Sequence, residues 1–336
     1  MSSVNSKPPA PAVRIDDSQA SSKPAGAGGA PRAKRRGRRP GAATLTVFIA
    51  PALVLFVLFV LFPVLFAAYT AFFRWNGLGG LPTDFVGLEN FKTLIGDEVF
   101  LGDMWRIGLI TVLSIAVQLP LAFGLAMLLH QNFPGRTAFR LLFFVPYILT
   151  EAVTAVLFSL IFSPRRGFAD SLLAGLGFDD RIGWLSDRGL VVFVLFGILT
   201  WKFFGFHMIL YLAGRQNIPE ELYEAAKVDG ATGGQLFRYI TVPLMGPTVR
   251  ITVFLSVIGT VQLFDLVYVL TKGGPFHASE TLAITMYEQG FVRNQIGYAS
   301  ALSIAMFLVS LVFALIYQRY VLGRDLQGSL TNGGRA

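Results

Sequence analysis

Residues 41–73 read GAATLTVFIAPALVLFVLFVLFPVLFAAYTAFF and contain no charged side chain. About 20 apolar residues carry a helix across the ~30 Å of bilayer hydrocarbon, where only a structure that pairs its own backbone groups is stable. The stretch exceeds that requirement, so it predicts a membrane-crossing helix. Composition extends the conclusion to the whole chain: of 336 residues 54% are hydrophobic and 14% charged, against about 25% charged in soluble proteins. Counting 42–73 as the first, apolar spans recur at 107–129, 141–163, 190–212, 251–271 and 297–318. The expected fold is an all-α integral membrane protein with six transmembrane helices. Pro51, Pro63, Pro120 and Pro146 fall inside these spans and predict kinks, because neighbouring helices can re-satisfy the carbonyls a proline frees.

Outside the spans, residues 1–40 are polar, rich in Pro, Gly, Ser and Ala, and end in the run RAKRRGRR at 32–39. Such a segment cannot bury enough apolar surface to offset its ordering entropy, so a disordered basic cytoplasmic tail is expected. A membrane domain over 41–322 and a short cytoplasmic tail over 323–336 complete the division. With the N-terminus inside, the inner segments hold eighteen Lys and Arg and the outer segments nine, and without the tail the two counts are equal. The positive-inside rule then places both termini and residues 213–250 in the cytoplasm. A cleavable signal peptide needs a shorter apolar core of about 7–15 residues, and Arg38-Arg39 is followed by Pro40-Gly41 with no cleavage pattern.

The chain has no cysteine, which excludes disulfides, thiol catalysis and thiolate metal sites. His130, His207 and His277 are its only imidazoles, none in an HExxH arrangement, and no GxxxxGK[ST] phosphate loop occurs. The glycines of 26–29 lie in the tail with no flanking strand pattern. No enzyme, metal site or nucleotide site is expected in this chain. Much of the net charge of +8 sits in the tail run, where it serves membrane anchoring and not nucleic-acid binding.

Residues 213–250 form the largest expected cytoplasmic loop, and within them 224–243 read EAAKVDGATGGQLFRYITVP. Pro219 suits a helix start, Glu220 and Glu221 complement the positive end of the helix dipole, and Leu222, Ala225 and Ala226 give one small apolar face. Gly230 must stop that helix. Thr232 with Gln235 is a T-x-x-Q capping box, so a second helix should start there and run toward Pro243. Helices this short are marginal in water and need a partner surface, either the protein's own membrane face or another protein.

The spacing Glu224-Ala225-Ala226, three residues, Gly230, nine residues, Ile240, then Pro243 resembles the EAA motif of bacterial ABC importer permeases, EAA-x3-G-x9-I-x-LP, with Val242 at the usual leucine position. DFVGLENF at 84–91, NIPEELYEAAKVDGA at 217–231, FDLVYVLTKGGP at 264–275 and GYASALSIAMF at 297–307 are similar to the binding-protein-dependent carbohydrate permeases of the maltose type. The resemblance implies the type I ABC importer permease fold, in the bacterial inner membrane. It implies that Glu224, Ala225, Ala226, Asp229, Gly230 and Pro243 belong to a helical loop docking on a separate cytosolic ATPase. It also implies a second permease subunit, two ATPase subunits and an extracytoplasmic solute-binding protein, with no cofactor here because ATP and Mg would be bound by the ATPase.

The alternatives are a glycerol phosphate or polyol importer of the same family and a self-sufficient secondary transporter, although no inverted repeat is visible. The resemblance favours a di- or oligosaccharide as the solute. Glu151, Lys202 and Asp265 are ionisable residues inside predicted spans, so each is expected to face the interior or a wet cavity. At 1.5 Å per residue Glu151 and Lys202 lie roughly 15–18 Å deep from opposite sides, which predicts an ion pair joining the third and fourth spans. Gln262, Asp265 and Tyr268 are expected to form a polar, aromatic stripe on one face of the fifth span; the resemblance, in which that helix lines the cavity, implies that they line the solute path.

Overall fold

The structure is a computed structural model and describes residues 42–164, 167–177 and 182–322; the predicted tails at 1–40 and 323–336 lie outside the described residues. The chain divides between Val54 and Leu55 into two units. From Ala42 the described part of the first is helix, and all contacts given below lie within the second. In chain order the elements are α1 (Ile49–Thr70), a two-stranded antiparallel hairpin of β1 (Phe73–Arg74) and β2 (Asp84–Phe85), α2 (Glu89–Gly96) and α3 (Glu98–His130). Then come α4 (Arg136–Ile148), α5 (Glu151–Ile161), α6 (Phe168–Gly175), α7 (Val191–Gln216) and α8 (Glu220–Val228). The chain continues through α9 (Gly233–Leu244), α10 (Gly246–Val261), α11 (Asp265–Leu270), α12 (Leu282–Tyr287) and α13 (Ile296–Val321).

Among the described residues α1, α3, α7 and α13 are each long and apolar enough to cross a bilayer. The helices α4 with α5, and α9 with α10, are pairs bent by 97° and 59°; six spans result if each pair is counted as one. The third predicted span, 141–163, is therefore not one helix. Leu149 and Thr150 are extended, and the Thr150 side chain accepts from the amide of Val153, so an N-cap interrupts the apolar run. The fifth predicted span, 251–271, is also corrected: α10 begins at Gly246 and ends at Val261, and α11 is a separate short helix starting at Asp265.

Three prolines inside helices are accommodated by one device. Widened π-helical turns at Val57–Leu61, Ser114–Gln118 and Phe237–Thr241 each end two residues before a proline, Pro63, Pro120 and Pro243. A proline has no N–H and crowds the carbonyl four residues back. In each case the residue before the proline donates five residues back instead, as Phe62 does to Val57, which shifts the ladder without breaking it.

Every side chain from Leu55 to Phe62 is exposed, the inverse of a water-soluble surface and the expected solvation of a helix by lipid. Between helices, small residues permit close approach: Ala122 and Ala126 of α3 are fully buried in a cluster with Met208, Tyr211 and Leu212 of α7. Ile218, Tyr223 and Met245, which flank or belong to the predicted loop, sit in the same cluster. Membrane helices and loop thus share one apolar core.

Candidate functional site

The loop is built as its residues dictate. Helix α8 follows Pro219 with Glu220 and Glu221 in its first turn. Tyr223 turns inward, its hydroxyl 3.0 Å from Thr241 Oγ1 and its ring 4.0 Å beneath the Arg215 guanidinium, which also reaches Glu220 Oε1 at 3.3 Å. These contacts fasten α8 to α9 and to the end of α7, and the shared core supplies what so short a helix lacks alone. At its C-terminus Gly230 has φ +84°, its amide donates to Lys227 O at 3.0 Å, and Ala231 donates to Ala226 O at 2.9 Å. Together these form a Schellman stop. Thr232 and Gln235 make the reciprocal capping box at the start of α9.

Between the two helices lies a concavity of about 330 Å³ lined by Ala226, Asp229, Gly230, Ala231, Gln235, Leu236, Tyr239 and Ile240. Glu224 and Ala225 are exposed on α8, and Leu222 and Val228 leave apolar surface beside them. Pro243 is exposed on α9 and does not line the concavity. The structure brings Ala226, Asp229 and Gly230 into one concave surface and leaves Glu224 and Ala225 on the adjoining face.

A second feature lies between the long helices, a cavity of about 310 Å³. Ser114 and Gln118 of α3 line it one turn apart, Ser114 Oγ donating to Gln118 Oε1 at 2.9 Å. Tyr147 of α4 stacks on Phe206 of α7 with ring centroids 4.7 Å apart, and both face the cavity with Phe203, Glu151 and Gln262. His207 also lines it, is 4% exposed, and its Nδ1 has no hydrogen-bond partner among the described residues. Aromatic faces beside amide, hydroxyl, imidazole and carboxylate groups suit a hydroxyl-rich ligand.

Residues 118–323 match the family model described as the binding-protein-dependent transport system inner membrane component. A probable ABC transporter permease protein of Pyrococcus horikoshii is 36% identical over 83% of this chain and 96% of that protein. The chain belongs to this family. The permease protein SmoG of the sulfoquinovosyl glycerol transport system of Agrobacterium fabrum is 32% identical over 83% of this chain and 90% of that protein. In fold the chain matches a crystal structure of a bacterial ABC transporter involved in import of the acidic polysaccharide alginate, with TM-score 0.72 and 24% identity over 82% of this chain and 93% of the matched one. As a permease component, the chain is a membrane-embedded transport subunit.

Within this permease fold the predicted path residues separate. Gln262 faces the cavity, whereas Asp265 and Tyr268 do not line it. Gln262 stands one residue past the end of α10 and Asp265 opens α11, so they are not one turn apart on a common helix and the expected stripe is not formed. Tyr268 stacks on Phe264 at 5.2 Å and meets Tyr287 edge-on at 5.2 Å. Glu151 is the first residue of α5, not a point midway along a helix, and it faces the cavity. Lys202 is 3% exposed and donates to Leu149 O, a carbonyl freed by the break between α4 and α5. No Glu151–Lys202 ion pair forms among the described residues, although Glu151 lies near enough to act on Lys202 electrostatically. Ser114, Gln118 and Tyr147 are not among the residues expected to line the path, and in the sequence His207 stands only as an imidazole outside any metal motif. A serine and a glutamine four residues apart in an apolar span were the available signal.

Proposed function

We propose that the chain is the permease subunit of an ATP-driven sugar importer, coupled to a separate ATPase through residues 213–250 and supplied by an extracytoplasmic binding protein. A second permease subunit completes the membrane part, and ATP and Mg belong to the ATPase. The observation that carries the proposal is the loop: an exposed helix, glycine stop and helix, tied together by Tyr223 and Thr241 and fastened to α7 through Arg215. A loop that only lay on lipid would not need this fastening; one that transmits movement does. Membership of a binding-protein-dependent family supports the other partners.

A neutral sugar is favoured over glycerol phosphate by the cavity itself. Glu151 is the charged residue on its wall, and neither Lys nor Arg lines it among the described residues. A phosphate would meet a carboxylate with no compensating cation. Uptake by the assembled importer should accordingly be competed by neutral oligosaccharides and not by glycerol phosphate. Gln262→Ala is expected to lower sugar uptake about fivefold, the worth of one net hydrogen bond of ~1 kcal/mol, with complex assembly unchanged. Unchanged uptake would move the solute path away from this cavity.

Six spans with both termini inside put Ser186 and Val228 on opposite sides of the membrane. Both are exposed, and the chain has no native cysteine. In intact cells an impermeant thiol reagent is expected to label Ser186→Cys and spare Val228→Cys; the inverse pattern would overturn the orientation and the docking role with it.

A further inference from the structure

Residues 271–281, TKGGPFHASET, form a loop packed against α3, on the extracytoplasmic side in the proposed orientation. Lys272, Phe276 and His277 all have positive φ, uncommon for residues with a β-carbon, so the loop holds this shape only because its anchors impose it. The anchors are polar. Thr271 Oγ1 lies 2.7 Å from Ser279 Oγ, Thr281 Oγ1 donates to Leu263 O at 2.8 Å, and Arg106 Nε of α3 donates to Glu280 O at 2.9 Å. Beneath them two carboxyl groups are closed off from water, Asp103 at 0% and Glu280 at 2% exposure.

Their hydrogen bonds cannot all be satisfied by two carboxylates. Asp103 Oδ1 accepts from Arg106 Nη2 at 2.5 Å. The Thr285 hydroxyl of α12 lies 2.5 Å from Asp103 Oδ2 and 2.9 Å from Glu280 Oε1, with Thr281 O a further acceptor at 3.3 Å. A hydroxyl has one hydrogen, so it can donate to only one carboxyl oxygen. The other contact is a hydrogen bond only if that carboxyl donates. Charge points the same way: one guanidinium cannot balance two ionised carboxylates in a site shut off from water, and like charges sharing a site suppress the second ionisation. His277 Nδ1 bonds Glu280 Oε2, and its ring is half exposed. A charged His277 would balance the charge but not the hydrogen count.

We propose that Asp103 and Glu280 share one proton, and that this proton, in contact with extracytoplasmic water through His277, latches the 271–281 loop onto α3 and α12. One hydroxyl bridges the two carboxyl groups, so the proton belongs to the pair and to neither residue alone. When it leaves, it passes by way of the His277 ring to water, and two carboxylates then confront one hydroxyl. The other charged or titratable groups on the loop and the elements against it are Lys272 of the loop itself, Arg106, Tyr298 of α13, whose hydroxyl donates to Asp97 Oδ2 at 2.7 Å, and Arg188, which lies 4.0 Å over the Phe276 ring. Phe276 is 78% exposed on the outer surface of the loop. The latch therefore sets how firmly an outward-facing aromatic is held. Only the side of the membrane it faces rests on the importer proposal; the shared proton does not.

Two measurements on the intact complex in lipid test this. Infrared spectra should contain the carbonyl stretch of a buried protonated acid that disappears on alkalinisation and is lost in both Asp103→Asn and Glu280→Gln, since in each variant an amide N–H supplies the missing donor. A wild-type spectrum without the band, or a band surviving in both variants, overturns the proposal whether or not the chain imports sugar. A spin label on Phe276→Cys should gain mobility as external pH rises in the wild-type background and stay flat with Asp103→Asn. Identical mobility curves in the two backgrounds overturn the latch.

Discussion

Gly205→Ala is expected to deplete the folded chain from the membrane. A β-carbon at 205 would lie 1.9 Å from Phe143 O, 2.6 Å from the Phe143 carbonyl carbon and 2.9 Å from Phe144 Cα. All three are backbone atoms of α4, so no rotamer change relieves the clash and the helices must separate. Overpacking that shifts backbone costs about 3 kcal/mol or more, a large share of a total stability of roughly 5–15 kcal/mol. The same contact sets the stacking of Tyr147 on Phe206, so any residual folded protein should also transport poorly. Gly197→Ala is the control: it lies on the same helix and a β-carbon there would meet nothing within 4 Å. Thermal unfolding in detergent should show a lowered midpoint for Gly205→Ala and a near-native one for Gly197→Ala. Equal midpoints would mean that α4 and α7 do not pack as described.

The helix-turn-helix loop was legible in the sequence because its rules are local. Thr232 with Gln235 caps a helix, and Gly230 stops one, by interactions that span a few residues and depend little on the rest of the fold. The breaks in the membrane helices were not legible for the opposite reason. Hydropathy averages over a window, and within 141–163 Thr150 counts as one weakly polar residue among many apolar ones, whereas its effect is the single hydrogen bond to the Val153 amide that restarts the helix. The misplaced roles of Glu151 and Lys202 follow from that omission. Treating 141–163 as continuous made Glu151 a midspan charge in need of a cation. In the folded chain the break exposes Leu149 O to Lys202 and turns Glu151 toward the cavity, so each finds a different environment. Gln262 was selected for a helical stripe that does not exist, yet it reaches the cavity because α10 ends just before it.

Gly230→Pro is expected to cut uptake sharply while leaving the chain in the membrane. Proline fixes φ near −65°, whereas Gly230 has φ +84°, and it removes the N–H that donates to Lys227 O at 3.0 Å. The Schellman stop cannot form, and α9 can no longer return beside α8 to close the concavity that holds Ala226, Asp229 and Gly230. Tyr223, Met245 and the rest of the shared core lie outside the turn, so insertion and membrane abundance should be little changed. A loss of ~3 kcal/mol in docking corresponds to roughly a hundredfold lower uptake, and the ATPase should be missing from the purified complex. Two milder variants separate backbone conformation from contact. A β-carbon at 230 would meet nothing within 4 Å, so Gly230→Ala carries only the left-handed strain of about 1–2 kcal/mol and should fall between wild type and proline. Gly230→Asn, whose side chain tolerates that conformation, should be nearest to wild type. The order asparagine, alanine, proline in both uptake and ATPase retention is the signature of a turn whose backbone angle matters and whose side-chain space does not. A proline variant that keeps its ATPase and transports normally would show that force does not pass through this turn.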